Sequence, residues 1–266
     1  MGLTDSKALP ELFLPIQQGS AVSAVLDQVI DLIRAGRLPK GILLPGERQL
    51  AVAMNVSRRT VREAIDALET TGLVKVAPGR AGGGRIASIW VPDSLNGVPP
   101  ELTTDELYKT LEARRVVEPR VSQLAALRGT DDDFRIMRET IELQRAIQGD
   151  AWRMAEGNVI FHRQLWRAAH NPELEAAMRS IYRRLSGAFR WVTPDDEPSA
   201  ERTSIALHEE TLEAVMRGRA DDVVKVMDRH LSWLERRCEA ELGRARIPEI
   251  PQFLLGDGSE GEGHRM

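Results

Sequence analysis

Three of the five histidines, His162, His208 and His230, fall in the middle of predicted helices. Asn158 precedes His162 by four residues, so both side chains share one helical face, which apolar residues continue. The helices of His208 and His230 follow one another across a short turn, so they should pack antiparallel. Imidazole suits zinc, nickel and similar cations, so three converging imidazoles and the Asn158 oxygen could hold one metal ion. The alternative, a set of hydrogen-bonded core histidines, stays open on these residues alone.

Arg114 and Glu118 interrupt a predicted helical face that is otherwise apolar. Because they stand four residues apart, they could form a structural ion pair. Alternatively, Arg114 could bind the carboxylate of a small effector whose other end meets the metal. Both interpretations are open at this point.

A second group of candidate functional residues opens a predicted helix near residue 58. Its first turn and a half holds three arginines and two hydroxyl residues, namely Ser57, Arg58, Arg59, Thr60 and Arg62. The positive end of the helix dipole favours acids at this place, so the arginines are unusual for a structural helix. Arginine is suited to a bidentate contact with guanine or phosphate, and a recognition helix meets base edges with its N-terminal residues. The pattern therefore favours DNA binding over the alternative of a solvated basic face.

The periodicity of apolar residues divides the chain into two predicted domains and a linker. Residues 15–90 show three helices and a β-hairpin, the pattern of a winged helix-turn-helix. Residues 91–103 hold three prolines and one glycine, which is linker composition. Residues 104–243 indicate an antiparallel bundle of six to seven helices, and residues 244–266 a flexible tail, so the fold class is mainly α. Six helical segments are predicted near 104–128, 131–149, 151–169, 172–191, 200–217 and 220–243.

Composition limits the class of protein. The chain has 266 residues, 42% hydrophobic and 29% charged, which is typical of a folded protein rather than a disordered one. Residues 21–89 carry ten Lys/Arg against six Asp/Glu, so the first domain is the one suited to a polyanion. The single cysteine, Cys238, excludes an intrachain disulfide and a cysteine-based zinc cluster. No apolar stretch approaches the ~20 residues of a membrane span, and no signal peptide is recognised, so we expect a cytoplasmic protein without a membrane partner.

Residues 43–80 resemble the GntR family of bacterial transcription regulators. The matching run is Pro45-Gly46-Glu47-Arg48, Leu50-Ala51, Val56-Ser57-Arg58, Val61-Arg62-Glu63-Ala64, Leu68 and Gly72-Leu73-Val74. The resemblance implies DNA contacts from the residues Arg48, Ser57, Arg58, Arg59, Thr60 and Arg62. It also implies that a wing tip with Gly79 and Arg80 enters the minor groove, although the wing from Arg80 to Arg85 is longer than the usual form.

The helical part resembles the FCD domain, the ligand-sensing domain of the FadR-type branch of this family. Metal-binding members carry Asp or Asn, three residues and His, followed by two histidines on the last two helices. The resemblance implies one divalent transition metal per chain, with zinc, nickel or manganese as candidates, bound by Asn158, His162, His208 and His230. It also implies that Arg114 faces the effector pocket. Asp is commoner in the family at the place of Asn158, and a neutral amide leaves the ion one charge more positive.

These observations lead to one main hypothesis about function. The chain is expected to be a non-enzymatic DNA-binding regulator, a repressor, that binds a palindromic operator as a homodimer. A small carboxylate effector in the metal-containing bundle would control operator affinity by binding the two states of the bundle differently. One alternative is a metal-dependent hydrolase with an appended DNA-binding head, since three histidines with an open position can activate water. Another alternative keeps the DNA module but makes the metal purely structural.

Overall fold

Helices follow the apolar periodicity along most of the chain. The computed structural model describes residues 9–16, 21–76, 84–92, 95, 102–185 and 198–242. The chain forms two units, which divide between Val98 and Pro99. The predicted mainly α fold class is confirmed, since helices dominate and the one sheet of the described part has two strands. Within the ranges that are described, no helix is long and apolar enough to span a membrane.

The first unit contains the three helices and the hairpin of a winged helix-turn-helix. Its elements are α1 (Ala21–Arg34), α2 (Glu47–Ala53), α3 (Arg58–Thr70), β1 (Val74–Val76) and β2 (Gly84–Ile86). The two strands pair antiparallel, with Val74 opposite Ile86. Helix α3 packs against both α1 and α2 and buries its apolar face, which consists of Val61, Ala64, Ile65 and Leu68.

Two local features explain where α3 begins and how the hairpin closes. The Ser57 hydroxyl accepts a hydrogen bond from the Thr60 backbone N–H at 3.0 Å, so Ser57 is the N-cap of α3. A Cβ atom at Gly84 would lie 2.3 Å from a methyl group of Val74, so only glycine allows this approach of the strands. The predicted wing-tip residues Gly79 and Arg80 lie outside the described residues.

The second unit is a bundle with six helices in its described part. They are α4 (Thr104–Arg128), α5 (Asp131–Ala146), α6 (Ala151–Ala168), α7 (Pro172–Leu185), α8 (Pro198–Met216) and α9 (Ala220–Leu242). The main difference from the prediction is at α5, which ends three residues early because its C-cap Ile147 (φ −112°, ψ 11°) already leaves the helical conformation, two residues before the turn at Gly149 (φ +89°). The predicted continuation of α7 to residue 191 lies outside the described residues.

Helix α4 is the central element of this bundle. It packs against α6, α7, α8 and α9, while α5 packs against α6 and α8, and α8 packs against α9. Thr103 begins α4 and exchanges hydrogen bonds with Glu106, and Thr130 begins α5 and does the same with Asp133. The polar residues of α4 therefore face the helices that carry the three histidines.

Candidate metal centre and nucleic-acid interface

The three histidines meet in the interior of the second unit, as their helical phases predict. His162 lies on α6, His208 on α8 and His230 on α9, and their ring centroids are 4.8–5.4 Å apart. Their candidate ligand atoms all lie within 4.8 Å of one another. All three side chains are buried. We call these residues the histidine triad. Its geometry permits a single ion to be reached by three imidazoles.

Two members of the triad donate a ring hydrogen to an acceptor on a neighbouring helix. His162 Nδ1 lies 2.7 Å from Glu118 Oε1, on α4. His208 Nδ1 lies 2.8 Å from Gln144 Oε1, on α5. A carboxylate and an amide oxygen accept hydrogen bonds, so each Nδ1 carries the ring hydrogen. The hydrogen-free nitrogen of each ring is then Nε2, the atom that can bind a metal.

The third histidine follows the same rule through a hydroxyl. His230 Nδ1 lies 2.9 Å from Thr211 Oγ1 on α8. The Thr211 hydroxyl donates its own hydrogen to the Leu207 carbonyl at 2.7 Å, so its oxygen must accept from His230. All three imidazoles are therefore held in the form with hydrogen on Nδ1.

The electrostatics of the triad favour neutral rings. Burial lowers the pKa of His162, and it lowers the pKa of His208 and of His230 well below the ordinary value. Neutral imidazole is the form that binds a metal. The Nε2 atom of His208 is buried and has no hydrogen-bond partner among the described residues. A buried nitrogen lone pair that accepts no hydrogen bond can bind a cation, so the residues fit a metal ion.

Glu118 is the acceptor that links α4 to the triad. Besides His162, its carboxylate accepts hydrogen bonds from Arg114 Nε at 2.7 Å, Trp166 Nε1 at 2.9 Å and the Tyr182 hydroxyl at 3.0 Å. Burial alone would raise the pKa of Glu118, but the positive charge of Arg114 and these donors bring that pKa well below its ordinary value. Glu118 is therefore a buried carboxylate that stays ionised.

Arg114 forms the predicted ion pair with Glu118 and also faces the triad. Its Nη2 atom lies 3.4 Å from His162 Nε2, and its guanidinium carbon lies 4.8 Å from the centre of the Tyr182 ring. The ion pair that the structural interpretation of Arg114 predicts is therefore present. Its position beside the triad is also the one that the effector interpretation requires.

Asn158 lies one turn before His162 on α6 and is half-buried. Its role as a fourth ligand stays a prediction. The sequence reasoning did not find two of the residues that orient the triad, Gln144 and Thr211, which are separated from their histidines by 64 and 19 residues. A weak signal was available in Gly157, since a glycine inside a helix often marks a close approach.

The predicted DNA-binding residues of α3 form an exposed basic surface. The side chains of Arg58, Arg59 and Arg62 are 63%, 89% and 59% exposed, and Arg48 of α2 is also exposed. Arg59 pairs with Glu63 on its own helix at 2.8 Å. Three arginines at the start of one helix can reach a phosphate or a base edge when DNA is near.

Glu47 at the start of α2 organises part of this surface. It accepts two hydrogen bonds from Arg62, at 2.8 and 3.2 Å, and its carboxylate lies 3.9 Å from Arg58. These contacts, first of all the hydrogen bonds from Arg62, lower the pKa of Glu47. The hydroxyls of Ser57 and Thr60 hydrogen-bond each other at 2.8 Å, so the predicted DNA contact Ser57 is also engaged as the cap of this helix.

Comparison with known proteins gives a match over both units. Residues 21–82 match the family described as bacterial regulatory proteins, gntR family, and residues 109–232 match the FCD domain. The putative L-lactate dehydrogenase operon regulatory protein of Escherichia coli is 31% identical over 248 residues, which cover 85% of this chain and 91% of that protein. The HTH-type transcriptional repressor NanR of Cronobacter sakazakii is 26% identical over 223 residues, covering 82% of this chain and 85% of that protein.

A solved structure supports the same fold. The structure of E. coli McbR/YncC aligns with a TM-score of 0.52 at 18% identity, covering 85% of this chain and 100% of that chain. A winged helix-turn-helix followed by a helical sensing domain defines a DNA-binding transcription regulator. The chain belongs to the GntR family of bacterial regulators and carries an FCD domain, as the sequence motifs indicate.

Proposed function

We propose that this regulator is a repressor whose operator affinity is controlled by a small carboxylate effector bound beside a metal ion in the helical bundle. The observation that carries the proposal is the histidine triad, whose three rings each donate Nδ1–H to a fixed acceptor. A hydrogen on Nδ1 leaves Nε2 as the nitrogen of each ring that can bind an ion, and this arrangement is typical of metal ligands. In a purely structural cluster each buried Nε2 would also need a hydrogen donor, and the Nε2 atom of His208 has none among the described residues.

His162, His208 and His230 would hold one divalent transition metal, zinc, nickel or manganese, with Asn158 as a fourth ligand. When bound, the ion supplies positive charge and open positions for an oxygen ligand. The donor set is neutral, because the histidines are uncharged and Asn158 is an amide. The charge of the ion is therefore not cancelled by its ligands, which favours an anionic effector.

Arg114 would bind the carboxylate of the effector. Its guanidinium is buried, with Nε held by Glu118 and Nη2 beside His162, so Nη2 is the group that would donate to an anion at this place. The name of the E. coli relative refers to the L-lactate dehydrogenase operon, which agrees with a small organic acid as the class of effector. Arg114→Ala should remove the effector response and leave DNA binding unchanged.

The first unit would read a palindromic operator as part of a homodimer. Arg48, Ser57, Arg58, Arg59, Thr60 and Arg62 would contact DNA, with Gly79 and Arg80 at the wing tip. The recognition helix presents its N-terminal residues to the major groove, and two such helices bind two half-sites. NanR, one of the relatives, is named a repressor, which supports repression as the mode of action. We infer no enzymatic activity, because Glu118, the carboxylate nearest His162, is held by Arg114 and three other donors.

Elemental analysis of the purified full-length protein tests the metal site. We expect about one metal ion per chain in the unchanged protein and its loss in His208→Ala, as expected when one of three protein ligands is removed. The matched control is His170→Ala, because His170 is half-exposed and pairs with Asp133 at 2.9 Å away from the triad. Full occupancy in His208→Ala, or equal loss in both variants, would contradict the proposed site.

A further inference from the structure

We propose that Gln144 is a positioning residue that makes His208 a metal ligand, and that Gly157 provides the space it needs. This inference rests on the metal site proposed above. Both side chains, Gln144 and His208, are fully buried and 2.8 Å apart between Oε1 and Nδ1. The Phe161 ring stacks on His208 with 4.0 Å between centroids and 22° between planes. Stacking fixes the plane of the imidazole, and Gln144 fixes its direction within that plane.

A carboxamide can present either an acceptor or a donor, and only one choice leaves His208 able to bind a metal. With Oε1 toward Nδ1, the ring hydrogen lies on Nδ1 and the lone pair lies on Nε2. With the amide turned over, its N–H group would donate to Nδ1 and the hydrogen would move to Nε2. The observed orientation leaves the Nε2 atoms of both Gln144 and His208 without a partner among the described residues. The fold thus leaves a buried donor of Gln144 unsatisfied while its oxygen serves His208.

Gly157 on α6 allows the carboxamide to reach this place. A Cβ atom at Gly157 would lie 3.0 Å from Gln144 Cγ and 3.4 Å from Gln144 Nε2. The 3.0 Å distance is tighter than ordinary van der Waals contact, so a Cβ atom here would require Gln144 Cγ to shift by a few tenths of an ångström, which changes its alignment with His208. A glycine inside a helix is unfavourable on intrinsic grounds, and the contact with Gln144 accounts for its presence.

The choice of glutamine also sets the charge of the centre. His162 has a carboxylate, Glu118, as its acceptor, but the Arg114 guanidinium neutralises that charge. A neutral acceptor behind His208 orients the ring without adding a second negative charge. The centre then keeps the positive charge of the ion available to an anionic ligand.

Titration of the metal-free full-length protein with Co²⁺, followed by visible absorption, tests the inference. Outer hydrogen-bond partners of metal ligands change affinity by about 10–100-fold, so we expect Gln144→Met to bind Co²⁺ weaker by that factor. Gln144→Glu keeps an acceptor for Nδ1–H and should restore tight binding. The matched control is Gln164→Met, because Gln164 is also buried between α5 and α6 but accepts from Thr140 at 2.9 Å. It should bind Co²⁺ like the unchanged protein.

Each outcome decides the inference. Co²⁺ affinity in Gln144→Met equal to that of the unchanged protein would overturn it, as would Gln144→Glu that binds no better than Gln144→Met. If Gln144→Met does not fold by circular dichroism, Gly157→Ala decides, since it shifts Gln144 by a few tenths of an ångström against His208 and keeps every polar group. We expect several-fold weaker binding in Gly157→Ala, and unchanged binding would then overturn the inference. If the unchanged protein binds no Co²⁺, the proposed metal site itself fails, and the inference fails with it.

Discussion

The sharpest test of the buried network is the substitution Glu118→Gln, which changes one oxygen to an NH₂ group and removes one charge. Both carboxylate oxygens accept hydrogen bonds, Oε2 from Arg114 and Oε1 from His162 and Trp166. Either orientation of the new amide would therefore direct its N–H groups at existing donors. Arg114 would in addition stay buried without its counter-charge. Removal of one partner of a buried ion pair costs about 3–5 kcal/mol in the free energy of unfolding.

The chain offers a matched control for this loss. Arg135 and Glu139 have the same sequence spacing as Arg114 and Glu118 and an N–O distance of 2.6 Å, but both of their side chains are more than half exposed. Glu139→Gln makes the same chemical change where water screens the pair, so stability should hardly change. The comparison isolates the effect of burial from the effect of the substitution.

Urea unfolding of the metal-free protein at pH 7.5, followed by tryptophan fluorescence, provides the measurement. Trp166 donates to Glu118 directly, and four of the five tryptophans lie in the second unit, so the signal reports mainly on the bundle. The expected loss corresponds to a fall of roughly 6–20 °C in Tm for a chain of this size. Equal stability of Glu118→Gln and Glu139→Gln would refute the reasoning, because the buried pair would then contribute no more than the exposed one.

Three further predictions concern other parts of the molecule. The metal-free protein should lose stability as pH falls below about 6.5, because unfolded histidines bind protons there, while the lowered pKa values of the buried triad shift its protonation to lower pH. Three such groups give a slope of up to about 4 kcal/mol per pH unit, and urea midpoints that are constant from pH 7.5 to 5.5 would contradict this. In the unchanged protein Arg115 Nε donates to the buried Glu235 at 2.7 Å. Arg115→Met should therefore lower the free energy of unfolding by about 3–5 kcal/mol, because it leaves the Glu235 carboxylate buried without this partner. If Arg115→Met lowers the free energy of unfolding no more than the loss of an exposed ion pair does, the contact of Arg115 with Glu235 does not stabilise the packing of α4 on α9. Arg58→Ala should weaken binding to a selected operator by about 1–3 kcal/mol at fixed salt, and unchanged affinity would remove it from the contact set.

The helices could be predicted because their signals are local. Apolar spacing gives the buried face, and the Thr103 and Thr130 caps lie within one turn of the helices they begin. The error at the end of α5 has the same origin, because the apolar pattern continues past Ala146 although the backbone turns at Gly149. A helix end is decided by a few backbone groups, and periodicity does not report on them.

The candidate site could be predicted only in part, because its contacts join distant segments. The helical phase of each histidine shows that it faces inward, and the Arg114–Glu118 pair follows from a spacing of four residues. The acceptors Gln144 and Thr211 have no such local relation to their histidines. Gln144 becomes recognisable only when α5 and α8 are packed side by side. The tautomer of each ring, which decides whether it can bind a metal, therefore depends on tertiary structure.

The position of Arg114 would connect the proposed metal binding with the proposed binding of an anion. Its Nη2 group lies 3.4 Å from His162 Nε2, the nitrogen that a metal would need. One lone pair cannot serve both an arginine N–H group and a metal ion, and the two cations repel each other. Binding of the ion must therefore move Nη2 away from His162, while Nε can remain on Glu118. A displaced N–H group in a buried site needs a new acceptor, and a carboxylate has one oxygen for the guanidinium and one for the ion. At the proposed site, metal and carboxylate would thus each lower the cost of binding the other, and this coupling would be reciprocal by thermodynamic necessity.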